Sequence, residues 1–293
     1  MAPEWTRRAW IRLVGGASFA GILGGCGSNS HEVKRVNVDG SRVPYGDDPL
    51  QFGHLQVPTG TGPYPVAIVI HGGFWRSQYG LDHIAPMCPA LNTAGWATWN
   101  IEYRRVGNPG GGWPGTFLDV ADAADFVRNL ASKHGLDPSH VVSLGHSAGG
   151  HLALWLAGRR RIQSNSEIYR ANPISLKAAV SLAGEADLRR GHEQFLGQGA
   201  VHNLVGGDPE SHRDRYAAGS PADLLPLGVR QVLVHGTNDP IVPIGISRTY
   251  FDAAKAKQDP IELIELDGTG HFELVSPTTR QGQRVLDAMS KLL

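Results

Sequence analysis

One serine lies in a sequence context that is typical of a catalytic nucleophile. Ser147 is the centre of the motif Gly145-His146-Ser147-Ala148-Gly149, which follows an apolar run and precedes a helical pattern. A sharp turn between a strand and a helix exposes the serine oxygen in such motifs and leaves no room for side chains at the two glycines. A serine hydroxyl is a weak nucleophile at neutral pH and needs a general base.

An aspartate and a histidine occur at matching places further along the chain. Asp239 lies just beyond the apolar run 232–234, and His271 lies in a glycine-containing loop beyond the run 261–266. The chain order Ser, Asp, His at the carboxyl ends of strands is characteristic of one α/β arrangement of the catalytic triad. We therefore predict that Ser147, Asp239 and His271 act together, with Asp187 as the only serious rival acid.

The other histidines have simpler interpretations. Several fall in polar loops or at helix ends, where an imidazole is usually solvated or capping. His146, beside the predicted nucleophile, and His235, on the strand that leads to Asp239, are interpreted as groups that pack in the core or support the catalytic residues. The polar set comprises His134, His140, His192, His202 and His212.

A glycine pair after the third strand supplies candidate donors for an oxyanion. The sequence His71-Gly72-Gly73-Phe74-Trp75 lets the backbone approach a substrate carbonyl. Backbone N–H groups around Gly72, Gly73 and Phe74 are predicted to act with that of Ala148, because such donors must be in place before the charge develops. The alternative is a simple turn that ends the strand.

Alternating apolar runs and helical patterns must position these groups. This alternation predicts a mostly parallel eight-stranded sheet with helices on both faces. The predicted strands are 33–38, 52–57, 66–70, 97–101, 141–144, 178–182, 232–234 and 261–266. The predicted helices are 81–94, 117–134, 148–157, 244–256 and 281–292.

Two polar stretches, 159–173 and 189–225, fit no strand or helix of this alternation. They follow the fifth and sixth strands. Long insertions at the carboxyl ends of strands usually form lids or binding loops, so we expect a small cap over the site. The alternative is a pair of surface loops that take no part in binding.

The N-terminal 26 residues resemble an export signal. A basic start with Arg7 and Arg8 leads into an apolar stretch that is too short to span a bilayer. Thr6-Arg7-Arg8-Ala9-Trp10 resembles a twin-arginine signal, and Leu23-Gly24-Gly25-Cys26 resembles a lipoprotein box. We predict lipidation of Cys26 and a periplasmic or cell-surface lipoprotein. A plain secretory signal, giving a secreted protein, or an uncleaved anchor is the alternative.

Composition limits what the rest of the chain can be. Its 293 residues and 41% hydrophobic content can bury one large core, so we predict a tether and first strand over 27–44 and one catalytic domain over 45–293. Twenty-seven basic residues balance twenty-seven acidic ones, which argues against nucleic acid as a partner. Without a free Cys26, Cys88 is the only thiol and is expected to be a buried hydrophobic residue.

These motifs together resemble the α/β-hydrolase superfamily over residues 45–293. The His-Gly-Gly-x-Trp form at His71 to Trp75 is similar to the arylformamidase (kynurenine formamidase) and carboxylesterase-like branch, because the hormone-sensitive-lipase branch would have a third glycine where Phe74 stands. The resemblance implies the α/β-hydrolase fold, the triad and the oxyanion loop. An export signal is not expected of an arylformamidase, whose task is cytoplasmic, so in this respect the chain departs from the resemblance.

The predicted activity is hydrolysis of a carboxylic ester with a small or aromatic acyl group, through an acyl-enzyme. This mechanism implies no metal and no other cofactor, and its partner is a small-molecule acyl substrate. Arylformamidase or other amidase activity, and a binding role on the same fold, are the alternatives. Trp75 is a candidate substrate contact, with Trp99 and Trp113 as possible neighbours in an aromatic pocket, although tryptophans are more often core residues.

Overall fold

The computed structural model describes residues 40–293, which form one eight-stranded sheet with helices on both faces. The spatial order is β1-β2-β4-β3-β5-β6-β7-β8, antiparallel at the β1–β2 and β2–β4 pairs and parallel elsewhere. The predicted fold class is confirmed. The strands are β1 (Ser41–Pro44), β2 (Phe52–Gln56), β3 (Tyr64–Ile70), β4 (Ala97–Ile101), β5 (Leu136–His146), β6 (Ala178–Leu182), β7 (Arg230–Gly236) and β8 (Ile261–Leu266).

The predicted strand 33–38 lies outside the described residues, as do Cys26 and the rest of the predicted export signal.

The central strands are buried on both faces, which explains their continuous apolar runs. In β3, Val66 and Ile68 belong to the core on one side of the sheet, whereas Ala67 and Val69 belong to the core on the other side. Side chains of a strand alternate between the two faces, so helices on both sides require apolar residues at every position.

Ten α-helices lie between and after the described strands. The helices are α1 (Met87–Thr93), α2 (Gly115–Asp125), α3 (Val127–His134), α4 (Ala148–Gly158), α5 (Leu188–Glu193), α6 (Ala200–Val205), α7 (Arg213–Gly219), α8 (Pro221–Leu224), α9 (Gly245–Ala256) and α10 (Arg280–Ser290). Helix α2 contacts α3 and α4, each of which packs on β5, and α10 packs near α1.

Two predicted helices are wrong in extent. The predicted helix 81–94 is a 3₁₀ turn at Leu81–His83 followed by α1, which begins after Pro86. Proline lacks a backbone N–H and therefore favours the start of a helix over its interior. The predicted helix 117–134 is divided at Phe126, whose carbonyl accepts a bond from the N–H of Asn129 three residues later.

The polar stretch 189–225 contains short helices that its sequence did not predict. Helices α5 to α8 are only four to seven residues long, too short for a helical periodicity to be recognised. We call residues 188–224 the cap. The stretch 159–173 holds a 3₁₀ turn at Arg159–Arg161 followed by turns and irregular backbone.

The described residues also include one free thiol, that of Cys88, which is 2% exposed as expected. Burial raises the pKa of this thiol to about 12, against a smaller opposing effect of a hydrogen bond with Thr98. The thiol is therefore neutral and unreactive in the folded chain. Within residues 40–293, every helix falls short of the length and apolar character that crossing a membrane requires.

Candidate active site

Ser147 lies on a sharp turn between β5 and α4. Its backbone has φ 57° and ψ −121°, a conformation that costs a non-glycine residue about 1–3 kcal/mol. The turn is held by close backbone packing: a Cβ on Gly145 would lie 2.0 Å from the carbonyl oxygen of Gly149, and a Cβ on Gly149 would lie 2.1 Å from that of Ile70. The two motif glycines therefore let β5, α4 and the end of β3 meet.

Helix α4 is buried along its whole length and begins at Ala148, directly after the predicted nucleophile. Its first backbone N–H groups have no partner within the helix and give this end a partial positive charge. A developing negative charge on a substrate next to Ser147 would be stabilised there. Ser147 itself is 4% exposed.

His271 and Asp239 form a buried hydrogen-bonded pair. The Nδ1–H of His271 donates to Oδ2 of Asp239 over 2.6 Å, and the residues are 3% and 9% exposed. The other carboxylate oxygen of Asp239 accepts from the backbone N–H groups of Ile241 at 2.8 Å and Val242 at 2.9 Å. This arrangement fixes the histidine tautomer and leaves Nε2 free of the proton, as a general base requires.

Asp239 stays ionised although it is buried. Burial would raise the pKa of this carboxyl, but hydrogen bonds from His235 and His271 hold it well below its ordinary range. The Nε2–H of His235 points at the carbonyl of Val242, 2.9 Å away, and lies 3.3 Å from Oδ2 of Asp239. His235 is therefore close enough to act as a second donor to the carboxylate, which agrees with the supporting role that was one of its two predicted interpretations.

Two imidazoles, those of His146 and His83, support the loop that carries His271. The Nε2–H of His146 donates to the backbone carbonyl of His271 over 2.8 Å, and His83 Nε2–H donates to Nδ1 of His146 over 2.7 Å. The rings of His146 and His271 lie 4.5 Å apart. Burial, followed by the neighbouring histidines, lowers the pKa of His146 well below its ordinary value, so it remains a neutral donor.

The loop after β3 approaches Ser147 closely. Gly73, Phe74 and Trp75 have φ values of 109°, 53° and 54°. A Cβ on Gly72 would lie 2.6 Å from the carbonyl oxygen of His146 and 3.0 Å from Cβ of Ser147. The structure thus brings the predicted oxyanion loop and the start of α4 to the same side of Ser147.

His71 and Glu102 anchor this loop. His71 Nε2 lies 2.9 Å from Oε1 of Glu102, and its ring stacks on Tyr103 with centroids 4.4 Å apart. Burial opposes the ionisation of Glu102, but interactions with His71, Arg105 and the N–H of Tyr103 hold its pKa below the ordinary value. The pair fixes the first residue of the loop without contributing to the triad.

The three tryptophans of the predicted aromatic pocket are all packed against other residues. Trp75 is buried, with its ring 5.1 Å from that of His151 in an edge-on contact. Trp99 is a core residue whose Nε1–H donates to the carbonyl of Ala123 over 2.9 Å. Trp113 packs on Phe117, and Phe117 also contacts His151, so Trp75 and Trp113 lie in one aromatic cluster.

The rival acid Asp187 has a different position. Its carboxylate caps α5 by accepting from the backbone N–H groups of Arg189 at 3.0 Å and Arg190 at 3.2 Å. Sequence reasoning missed the parts played by His83 and Glu102. Glu102 directly follows the buried strand β4. An acid at the carboxyl end of a central strand could have been recognised in the sequence as a candidate site residue.

Comparison with known proteins points to one family. A family model described as BD-FAE matches residues 55–253. The chain is 30% identical over 266 residues to Esterase LipC of Mycobacterium tuberculosis (strain ATCC 25618 / H37Rv), covering 85% of this chain and 63% of the relative. It is 27% identical to the probable isoprenylcysteine alpha-carbonyl methylesterase ICMEL1 of Oryza sativa subsp. japonica, covering 83% of this chain and 59% of the relative. The chain spans about three fifths of the length of these curated relatives.

Solved structures share the fold. A truncated carbohydrate esterase from gut microbiota superposes with a TM-score of 0.73 at 21% identity, covering 87% of this chain and 98% of that one. The thermophilic esterase Est2 of Thermogutta terrifontis superposes with a TM-score of 0.71 at 22% identity, covering 87% and 91%. At this identity the likeness establishes the arrangement of strands and helices alone.

Proposed function

Because this chain belongs to the BD-FAE family of α/β-hydrolases, we propose that it is a serine hydrolase that cleaves a carboxylic ester of a small or aromatic acyl group. The observation that carries the proposal is the 2.6 Å bond from His271 Nδ1 to Asp239, with Ser147 on a strained turn at the same edge of the sheet. The names of the curated relatives, several of them esterases, support the same reaction.

The proposed reaction has two halves. Ser147 Oγ attacks the ester carbonyl while Nε2 of His271 accepts its proton, and Asp239 stabilises the resulting imidazolium. Backbone N–H groups of Gly72, Gly73, Phe74 and Ala148 are the proposed donors to the oxyanion. The alcohol leaves with the proton from His271. A water molecule, activated by the same histidine, then releases the acid from the serine.

The first test measures hydrolysis of p-nitrophenyl acetate and butyrate by the chain with Cys26→Ser, which prevents lipidation, with and without Ser147→Ala. We expect kcat/KM to fall at least about 10³-fold in the Ser147 variant, because the triad acts as a unit. Ser132→Ala, at an exposed serine on α3, is the matched control and should retain full activity.

A fluorophosphonate probe should label the parent and the Ser132 variant but not the Ser147 variant. If neither hydrolysis nor labelling depends on Ser147, the proposal fails. A binding role on the same fold would then be the better hypothesis.

Amide hydrolysis is a second candidate, supported by the likeness of His71-Gly72-Gly73-Phe74-Trp75 to the arylformamidase branch. Ester and amide cleavage use the same residues, so only substrates distinguish them. Comparing p-nitrophenyl acetate with p-nitroacetanilide keeps the acyl group constant. A kcat/KM for the anilide within about tenfold of that for the ester would favour an amidase, since amides are the less reactive substrates.

We also propose that the protein is exported and lipidated at Cys26, with 27–44 as tether and first strand and 45–293 as the catalytic domain. The support is the sequence Thr6-Arg7-Arg8-Ala9-Trp10 followed by Leu23-Gly24-Gly25-Cys26. Within residues 40–293 the fold forms without a disulfide, because Cys88 is a free, buried thiol. This is consistent with the proposed export.

A further inference from the structure

Three polar side chains of the cap converge on one point at the protein surface. They are His192 on α5, His202 on α6 and Asp208 shortly after α6, and the ligand atoms that they offer all lie within 4.8 Å of one another. None of the three belongs to the triad or to the oxyanion loop. From this juxtaposition we propose that the cap binds one divalent transition-metal ion of the Zn²⁺ class.

The distances between the ligand atoms suit such an ion. His202 Nδ1 lies 2.8 Å from Oδ1 of Asp208, and His192 Nε2 lies 3.6 Å from the same oxygen. Tetrahedral Zn²⁺ with bonds of about 2.0–2.2 Å holds its ligands about 3.3 Å apart. The two distances lie on either side of that value, and all three ligand atoms lie within 4.8 Å of one another, so side-chain movements would complete the site.

The donor types select for the same class of ion. Two imidazole nitrogens and one carboxylate oxygen are typical ligands of zinc, whereas Mg²⁺ and Ca²⁺ prefer oxygen alone. The side chains of His202 and Asp208 are about half exposed, which gives an ion a path from solvent. Water would fill the remaining coordination position, as is usual with three protein ligands.

The surroundings hold the two imidazoles in place. Their rings are nearly parallel, with centroids 6.2 Å apart and an interplanar angle of 23°. The ring of His192 also packs edge-on against that of Tyr216, 6.1 Å away, on helix α7. His192 lies on α5, His202 on α6 and Asp208 in the loop after α6. A bound ion would therefore link α5 to α6, which are otherwise joined by the glycine-containing turn 194–199.

That turn packs on the oxyanion loop. A Cβ on Gly197 would lie 2.5 Å from the ring of Phe74, and the guanidinium of Arg76 donates to the carbonyl of Gly197. Zinc bound by His192 and His202 would therefore clamp the two ends of the segment that covers this loop. The ion is inferred to be structural, because its ligands share no residue with the triad.

The test is a zinc titration of the full chain carrying Cys26→Ser, which removes the competing N-terminal thiol, by competition with a chromophoric zinc chelator. We expect one Zn²⁺ per chain with a Kd of about 10 μM or tighter, and a rise in Tm on binding, since a ligand that binds only the folded state stabilises it. His192→Ala and His202→Ala should each weaken binding at least tenfold and abolish the rise in Tm.

His134→Ala, at an exposed histidine on α3, is the matched control and should bind zinc like the parent. Circular dichroism of each variant without zinc establishes that it is folded. The proposal is overturned if the parent binds zinc no more tightly than about 100 μM, or if either His192→Ala or His202→Ala retains the parent's affinity.

Discussion

At the scale of single residues, two buried acids, Asp239 and Glu185, differ in their protonation state. Asp239 keeps its charge because four hydrogen-bond donors surround its carboxylate. Glu185, in the loop after β6, is 3% exposed, and among residues 40–293 neither of its oxygens meets a donor at full hydrogen-bond geometry. Burial, and then the charge of Asp187, raise the pKa of Glu185 well above its ordinary value against weaker effects of the Asp187 N–H and Arg190.

The raised pKa of Glu185 predicts a pH-dependent cost in stability. As the pH rises above about 4.3, the unfolded chain releases this proton while the folded chain keeps it, so the free energy of unfolding falls by up to about 1.4 kcal/mol per pH unit until the folded-state pKa is reached. Glu185→Gln removes the titration. Urea denaturation between pH 5 and pH 8 should show the variant gaining stability over the parent as the pH rises.

Glu193→Gln provides the matched control for Glu185→Gln, because Glu193 is an exposed glutamate of the same cap. Its stability relative to the parent should stay constant over the same range. Parallel pH curves for the parent and Glu185→Gln would show that the carboxyl is ionised in the folded protein.

At the scale of elements, the site depends on how closely α4 approaches the end of β3. No side chain fits between Gly149 and the carbonyl oxygens of Ile70 and His71, which would lie 2.1 Å and 2.6 Å from a Cβ. The same approach places the first turn of α4 beside the oxyanion loop. Packing and catalysis therefore impose the same requirement on this position.

Gly149→Ala is expected to lower the free energy of unfolding by at least about 3 kcal/mol, because the clash is with backbone and cannot be relieved by a rotamer change. Hydrolysis should be lost with it. Gly245→Ala is the matched control: its Cβ would meet nothing within 4 Å at the exposed start of α9, and alanine should raise stability by up to about 1 kcal/mol. If Gly149→Ala and Gly245→Ala shifted the urea midpoint in the same direction, the proposed clash at Gly149 would be contradicted.

The sequence predicted those elements whose pattern reflects burial. Strands such as β3 and β6 are continuous apolar runs because both faces are covered, and α9 was predicted within one residue of its observed start. The cap helices were missed because four to seven residues are too few to show a period. His71 and Glu102 are 31 residues apart, so their contact depends on the pairing of β3 with β4, which no local pattern reveals.

At the scale of the whole molecule, the described fold stands without a covalent cross-link. Apolar side chains form one core on each face of the sheet, and Cys88 is a free thiol within one of these cores. The chain has no net charge at pH 7 to draw it to an acidic membrane surface. The proposed attachment to a membrane is through the N-terminal segment and its lipid.

Cys26→Ser tests that attachment. In a bacterial host, the parent should partition into the detergent phase of a cloud-point extraction, whereas the variant should move to the aqueous phase, since the lipid supplies the only proposed anchor. Esterase activity per mole of protein should be unchanged, because Cys26 has no proposed catalytic part. A parent that partitions entirely into the aqueous phase would refute lipidation.

The strained backbone of Ser147 has a consequence for how this chain can change. Glycine would adopt φ 57° and ψ −121° at little cost, whereas serine is held there by the surrounding packing. Stability and reactivity therefore compete at one residue, and the substitution that relaxes the turn also removes the nucleophile.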